Sequence, residues 1–274
     1  MTKIEIVRPG LLTTVQDSGR PGFAHLGVPP SGAADASAFE LGNRLVGNRT
    51  GAAALEATLE GPTLRFDGPA TIALTGAKTL APRRVERGEV LEVGRCLDGV
   101  RTYVCVRGGI DVEPTLGSCS TDLLTGLGPP PLREGDVVSL GPDPPNPTCP
   151  GTVPGHVLPD EPVLGIRLGP RDDWFTPAAV EALCSEPWRV SSSSNRVGVR
   201  LQGRSLERAR PGELLSEGLV TGAIQVPASG RPILLLNDHP TTGGYPVIAV
   251  VCSDDLWLAG QLAPWMSVRF RVDG

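Results

Sequence analysis

Residues 3–7 set Ile4 and Ile6 between polar neighbours, the two-residue alternation of a strand with one buried face. Pro9 and Gly10 close that segment. Short apolar runs recur at 53–59, 64–66, 70–75, 90–93, 102–106 and 137–140, then at 163–168, 197–201, 233–236, 247–252 and 267–272. Gly, Pro or polar residues bound each run, which predicts many short strands. The segments RGEVLEV (87–93), EGDVVSL (134–140) and PGELLSE (211–217) place a Gly and an acid before a strand, as tight turns into an antiparallel sheet do. Helical signals are few. Over 36–46, Leu41 with Leu45 and Phe39 with Val46 form a stripe, Asp35 stands at the N-cap and Gly47 at the C-terminal stop. Thr176 and Pro177 open a second helix that Pro187 ends, and 253–262 predicts a last short one before Pro264.

The proline-rich stretch 142–162 reads as a linker between a first domain, 1–141, and a second, 163–274. His156 within it reads as a solvated linker residue. The second half repeats the order of the first: strand, Gly-Pro punctuation, Asp, capped helix, strand, Gly. LEATLEGPTL (55–64) and VGVRLQGRSL (197–206) are alike, which suggests an internal duplication.

Polar residues concentrate in loops at 11–22, 28–35, 117–122, 191–198 and 237–246. The last, NDHPTTGGYP, puts Asp238, His239, Thr241, Thr242 and Tyr245 between two apolar strands, with Gly243 and Gly244 beside them. Two readings stand: a binding or catalytic loop on rigid strands, or a turn whose polar groups satisfy its own backbone. Asn195 and Arg196 are either loop residues or a holder for an anionic group.

Composition narrows the function. Gly 35 and Pro 28 among 274 residues fit a turn-rich β protein, without a collagen period. A formal charge of −5 and no Lys/Arg cluster argue against nucleic acid. Lys3 and Lys78 are the only lysines, which argues against a Schiff base. The cysteines have no CxxC spacing and His25, His156 and His239 lie far apart, so no metal site is indicated. Thiols in apolar runs, no signal-peptide pattern after Met1 and no 18-residue apolar run predict a reduced, cytoplasmic protein away from membranes. Phosphate-loop, GxGxxG and GxSxG motifs are absent.

The stretches TTVQDSGRPG (13–22), GVPPSGAAD (27–35), LVGN (45–48), LEATLEGPTLRF (55–66), SSNRVGVRL (193–201) and NDHPTTGGYPVIA (237–249) resemble, in this order, the KipA family. Its members are known as the C subunit of 5-oxoprolinase, biotin-dependent carboxyltransferase domain or allophanate hydrolase subunit 2. The resemblance spans nearly the whole chain. It implies a mainly β protein of two cyclophilin-like β-barrels with a few short helices. It also implies one component of a complex that opens 5-oxo-L-proline to L-glutamate, with ATP (and Mg) used by the assembly. The implied partners are a KipI-like B subunit and a LamB/YcsF-like A subunit. Two other activities follow from it: antagonism of the KipI-like partner as a regulatory binding protein, and carboxyl transfer from a separate biotin carrier. Met1 and Met266 are the only methionines, so no Met-Lys-Met biotin acceptor is present and no covalently bound cofactor is expected. Two positions depart from the family pattern: Cys119 replaces an Arg in a GSRST-like run, and Lys78 replaces an acid.

On this reading Asp17, Arg20, Asp238, His239, Thr241, Thr242 and Tyr245 are expected to line one cleft. Asp238 or His239 is the acid/base candidate, with Asp238 orienting the imidazole if the two converge. Asp17 is placed with them as a catalytic carboxylate. Arg20 pairs a substrate carboxylate, while Thr241, Thr242 and the Gly243 and Gly244 amides hold an anionic oxygen. The alternative for His239 is a ring bonded to its own loop.

Overall fold

The computed structural model describes residues 2–149, 156–212 and 214–273. The chain divides into two compact units, Met1–Arg20 with Ser31–Val157, and Pro21–Pro30 with Leu158–Gly274.

The first unit contains β1 (Lys3–Arg8), β2 (Leu12–Gln16), α1 (Ala36–Leu45), β3 (Ala54–Thr58), β4 (Thr63–Phe66), β5 (Ala70–Gly76), β6 (Leu80–Val85), β7 (Val90–Glu92), β8 (Arg101–Val106), β9 (Ile110–Asp111) and β10 (Val137–Leu140). They form two five-stranded sheets, β7-β4-β1-β10-β9 and β2-β3-β8-β5-β6. Alternation explains the core. Ile4 and Ile6 of β1 are fully buried and join Leu64, Phe66, Leu55, Val104 and Val106 in one cluster shared by both sheets. Tyr103 and Cys105 point to the other face of β8, where Phe39, Leu41 and Leu45 of α1 cover them. The Asp35 carboxylate accepts from Ala38 N at 2.9 Å and starts the helix, and Gly47, at φ 76°, follows its end.

The second unit contains β11 (Val163–Leu168), α2 (Pro177–Ser185), β12 (Trp188–Val190), β13 (Gly198–Gln202), β14 (Glu217–Gly218), β15 (Ala223–Gln225), β16 (Ile233–Leu235), β17 (Thr242–Gly243), β18 (Val247–Val251), α3 (Leu256–Gln261) and β19 (Ser267–Val272). Seven of these strands close a barrel in the order β11-β18-β15-β16-β13-β12-β19, sealed by the parallel pairing of β19 with β11. Closure leaves no open edge, and Leu164, Trp188, Ile224, Leu234, Ile248 and Phe270 belong to its core. β14 and β17 form a separate ribbon.

The expectation of a mainly β protein with a few short helices is met. The barrel closes in the second unit, while the first wraps two sheets around one core. Residues 11–22, read as a polar loop, begin with strand β2. Its Thr13, Thr14 and Gln16 are buried with partners for most of their polar groups: Thr13 Oγ1 donates to Pro9 O at 2.7 Å, and Gln16 Nε2 to Thr14 Oγ1 and Thr121 O, both at 3.0 Å. The hydrophobic pattern does not predict β6, because Pro82 and two arginines mask it; it lies at a sheet edge, where a missing N–H is tolerated. Residues 150–155 of the expected linker and Glu213 of the 211–217 turn lie outside the described residues, and His156 is exposed. Among the described residues no helix is long and apolar enough to cross a membrane.

Gly10 makes the reversal from β1 to β2 possible. Its φ is 71°, and a Cβ there would fall 2.1 Å from the Glu60 carbonyl oxygen. Gly10→Ala should lower the stability of the first unit by about 2 kcal/mol or more in chemical denaturation; an unchanged midpoint would contradict this account of the turn.

Candidate functional site

In the first unit the end of β2 delivers Asp17 into the 117–122 loop. Asp17 Oδ1 accepts from Gly19 N at 2.7 Å and from the Ser118 and Ser120 hydroxyls, each at 2.6 Å. Oδ2 accepts from Cys119 N at 2.7 Å. Ser120 Oγ in turn accepts from Asp17 N at 3.0 Å. Three donors crowd onto Oδ1 and one meets Oδ2, so the carboxylate is held at both oxygens. The 117–122 loop is polar by its sequence, but nothing in the sequence reading singles out Ser118 and Ser120. The signal available is a serine on each side of position 119, opposite an Asp about a hundred residues away.

Arg20 follows on the same turn and is 1% exposed. Its Nε donates to Thr115 O at 3.3 Å and its Nη2 to Ser120 O. Nη1 is buried and has no partner. Burying a guanidinium without an opposing carboxylate is costly, and two carbonyls meet only part of its donor capacity. The unspent nitrogen is suited to an anion. Gln16 Oε1 and Thr121 Oγ1, close in sequence to Arg20 and Ser120, are likewise buried without partners.

A groove of about 750 Å³ runs beside this cluster within the first unit, lined in part by Asp17, Gly19, Arg49, Gly51, Asp111 and Cys119. Cys119 therefore stands on its wall, where the resemblance implied an arginine. Burial, and then the charge of Asp17, push its thiol pKa above the ordinary value. Lys78 is not on this wall; its Nζ donates to the Val93 carbonyl.

In the second unit the loop after β16 places Asp238, 0% exposed, against Arg196, 1% exposed. The pair is bidentate, Arg196 Nε to Oδ2 at 2.9 Å and Nη2 to Oδ1 at 3.0 Å. It is buried, and it ties the 191–198 loop to the 237–246 loop. The Asp238 carboxylate thus faces a guanidinium. The neighbouring His239 has Nδ1 2.7 Å from Pro240 O. A carbonyl only accepts, so Nδ1 carries the proton and Nε2 keeps the lone pair of a neutral ring. Burial lowers the His239 pKa below 6.5, against smaller opposing effects from the Pro240 bond and the Asp238 charge.

The rest of the loop is held mostly by backbone. Thr241 O accepts from Leu219 N at 2.9 Å, and Thr242 and Gly243 pair with Gly218 and Glu217 of β14. A Cβ at Gly243 would come within 2.9 Å of Leu219 Cδ1 and 3.0 Å of Gln225 Nε2, so a side chain there would have to displace the ends of both. Gln225 Nε2 donates to Tyr245 O at 3.0 Å, while the Tyr245 ring is half exposed. Leu214 O would lie 3.0 Å from a Cβ at Gly244. Asn195 is exposed, and its Oδ1 accepts from Val197 N at 2.9 Å and Gly198 N at 3.3 Å, which makes it a turn residue. The structure thus joins Asp17 with Arg20 through Ser120 in one unit, and Asp238 with Arg196 beside His239 in the other.

The family described as carboxyltransferase domain, subdomain A and B, matches residues 26–272. The chain belongs to this family. It is 39% identical to the C subunit of 5-oxoprolinase from Escherichia coli over 97% of this chain and 90% of that protein. It is 37% identical to the urea amidolyase of Saccharomyces cerevisiae over 98% of this chain but 16% of that much longer protein. The crystal structure of the Kluyveromyces lactis urea amidolyase superposes with a TM-score of 0.93 at 33% identity, covering 99% of this chain and 19% of that one. The crystal structure of TTHA0988 gives 0.89 at 38% identity, covering 99% of this chain and 55% of that one. The carboxyltransferase fold is therefore shared along nearly the whole length of the chain.

Removing one partner of the buried pair leaves a buried charge unmatched. Asp238→Ala should cost roughly 3–5 kcal/mol in chemical denaturation, and adding Arg196→Leu to it should recover part of that loss; full additivity of the two changes would contradict the pairing. The depressed His239 pKa fixes a sign as well. The ring is neutral in both states above pH 6.5, so it contributes no pH dependence there. As pH falls below 6.5 the unfolded chain takes up the proton first, and stability is lost. Denaturation from neutral pH into mild acid should therefore show a steeper fall for the natural chain than for His239→Gln; parallel curves would contradict the burial of this ring.

Proposed function

We propose that the chain is the C subunit of an ATP-dependent 5-oxoprolinase complex that opens 5-oxo-L-proline to L-glutamate. The observation that carries this reading is the unpaired, buried Nη1 of Arg20, which suits the substrate carboxylate. Similarity to the Escherichia coli protein over nearly the full length of both chains supports it. The proposed partners are a KipI-like B subunit and a LamB/YcsF-like A subunit in the cytoplasm. ATP, with Mg, is used by the assembled complex.

An unstrained lactam is a poor electrophile. Transfer of the γ-phosphoryl group of ATP to its oxygen, with release of ADP, makes the carbonyl carbon open to water; the C–N bond then breaks, the ring nitrogen takes a proton, and hydrolysis of the resulting acyl phosphate by a second water releases inorganic phosphate and L-glutamate. In this scheme Arg20 holds the substrate carboxylate, and the Asp17–Ser118–Ser120 cluster holds Arg20's loop in place. In the second unit the Nε2 lone pair of His239, left by its bond to Pro240, is suited to accept a proton. Asp238 and Arg196 keep the 237–246 loop in position, and Thr241, Thr242 and the Gly243 and Gly244 amides of that loop are suited to an anionic oxygen. Tyr245 contributes its exposed ring to substrate contact.

A second reading is carboxyl transfer from a separate biotin carrier, favoured by the family match and the likeness to urea amidolyase. Co-purified partner chains separate the two. ATP-dependent glutamate release from 5-oxoproline should proceed unchanged when avidin is added. Arg20→Gln should raise KM for 5-oxoproline about ten- to hundredfold, the loss expected for a charge-assisted bond. His239→Gln should lower kcat roughly 10²-fold or more. Inhibition by avidin would favour carboxyl transfer, and wild-type rates in both variants would remove these residues from the mechanism.

A further inference from the structure

Asp17 is fixed from a second side by the backbone of residues 31–35. Ala33 N donates to Asp17 O at 3.0 Å. Gly32 has φ 87°, and a Cβ there would lie 2.8 Å from Gly19 N, so this segment lies directly on the 17–19 turn. What holds the segment is a buried polar group on the sheet. Ala34 N donates to Glu56 Oε2 at 3.0 Å, and Asp35 N to the Tyr103 hydroxyl at 2.8 Å. That hydroxyl donates onward to Glu56 Oε2 at 2.8 Å. Glu56 Oε1 lies 3.3 Å from Arg101 Nε. Glu56 is 1% exposed, Arg101 3% and Tyr103 0%.

The register explains why these groups meet. Thr14 of β2, Glu56 of β3, Tyr103 of β8 and Thr75 of β5 stand opposite one another in a single row across the sheet. Their neighbours Leu55 and Val104 face the apolar core. Gln16 Nε2 donates to Thr14 Oγ1, so the row reaches the Asp17 cluster along β2 as well. Burial, then the charges of Glu56 and Asp35, push the Tyr103 hydroxyl well above its ordinary pKa, which keeps it a donor. Replacing a buried ion pair with apolar residues is often neutral or stabilising, so stability alone does not account for the buried Glu56–Arg101 pair. Their geometric effect is to fasten two consecutive backbone N–H groups of the 31–35 segment.

We propose that Tyr103 and Glu56 are positioning residues for the Asp17–Arg20 cluster: they fasten the 31–35 segment, and that segment sets the turn that presents Asp17 and Arg20. The functional importance of this rests on the substrate reading above, but its test does not need turnover. Cys119 reports the cluster directly, because its N–H donates to Asp17 Oδ2 and its half-buried thiol lines the groove. Cys184 in the second unit is also half-buried, with its thiol pKa raised by burial, and serves as an internal control.

Alkylation of each cysteine by iodoacetamide is followed by mass spectrometry in the full chain and in Tyr103→Phe and Glu56→Gln. Tyr103→Phe removes one hydroxyl and keeps the ring that packs edge-on against Phe39. Cys119 should react at least about fivefold faster in this variant, because the two buried hydrogen bonds of the hydroxyl, from Asp35 N and to Glu56 Oε2, are both lost, with Cys184 unchanged. In the assembled complex the same variant should raise KM for 5-oxoproline and leave KM for ATP unaltered. Unchanged Cys119 labelling, or Cys119 and Cys184 accelerating together, would overturn the proposal. A complex inactive on 5-oxoproline whose Cys119 still responds would uphold the positioning role and refute the substrate reading instead.

Discussion

The Asp17 carboxylate is the contact on which the first unit's candidate site depends. Its four hydrogen bonds bind the end of β2 to a loop more than a hundred residues later, with Ser118 and Ser120 at sequence separations of 101 and 103. Together with the bonds of Arg20 to Ser120 O and of Gln16 to Thr121 O it keeps the 117–122 loop in place, because that loop has no strand or helix of its own beyond a short bridge. Each bond is modest in net terms, about 1.5–3 kcal/mol for a charged acceptor, but the four act on one pair of oxygens and fix both loops at once. The groove and the thiol of Cys119 take their positions from that fixation.

The second unit solves a similar problem with a different device. There the barrel brings the loop before β13 next to the loop after β16, and the Arg196–Asp238 pair locks them. Full burial makes this pair a poor source of net stability and a strong determinant of geometry. His239 inherits its place from the pair and its protonation state from burial and the Pro240 carbonyl. Its Nε2 keeps the lone pair of a neutral imidazole and is able to take a proton.

Features set by near neighbours are legible in the sequence. The Ile4–Ile6 alternation, the Asp35 cap, the Thr176–Pro177 start and the short runs of the barrel strands depend on residues a turn or a pleat away. Strand β2 is not, because Thr13, Thr14 and Gln16 enter a sheet only where Pro9 O and Thr121 O can receive their donors. The polar loops are visible as loops, but the pairs within them are not: Arg196 meets Asp238 across 42 positions, and the sequence places no mark on Ser118 and Ser120 as partners of Asp17. Glu56 sits inside a run that reads as an apolar strand, and only the register of β3 against β8 shows that it faces Tyr103. Family resemblance supplied the expectation of site residues; the hydrogen bonds give them distinct physical roles.

The central claim is that Arg20 holds an anionic group of the substrate. A crystal structure of the assembled complex with 5-oxo-L-proline bound tests it most directly. The account predicts the ligand carboxylate within hydrogen-bond distance of Arg20 Nη1, with the Asp17 contacts to Ser118, Cys119 and Ser120 intact. A ligand carboxylate bound elsewhere, with Nη1 still unpartnered, would contradict it.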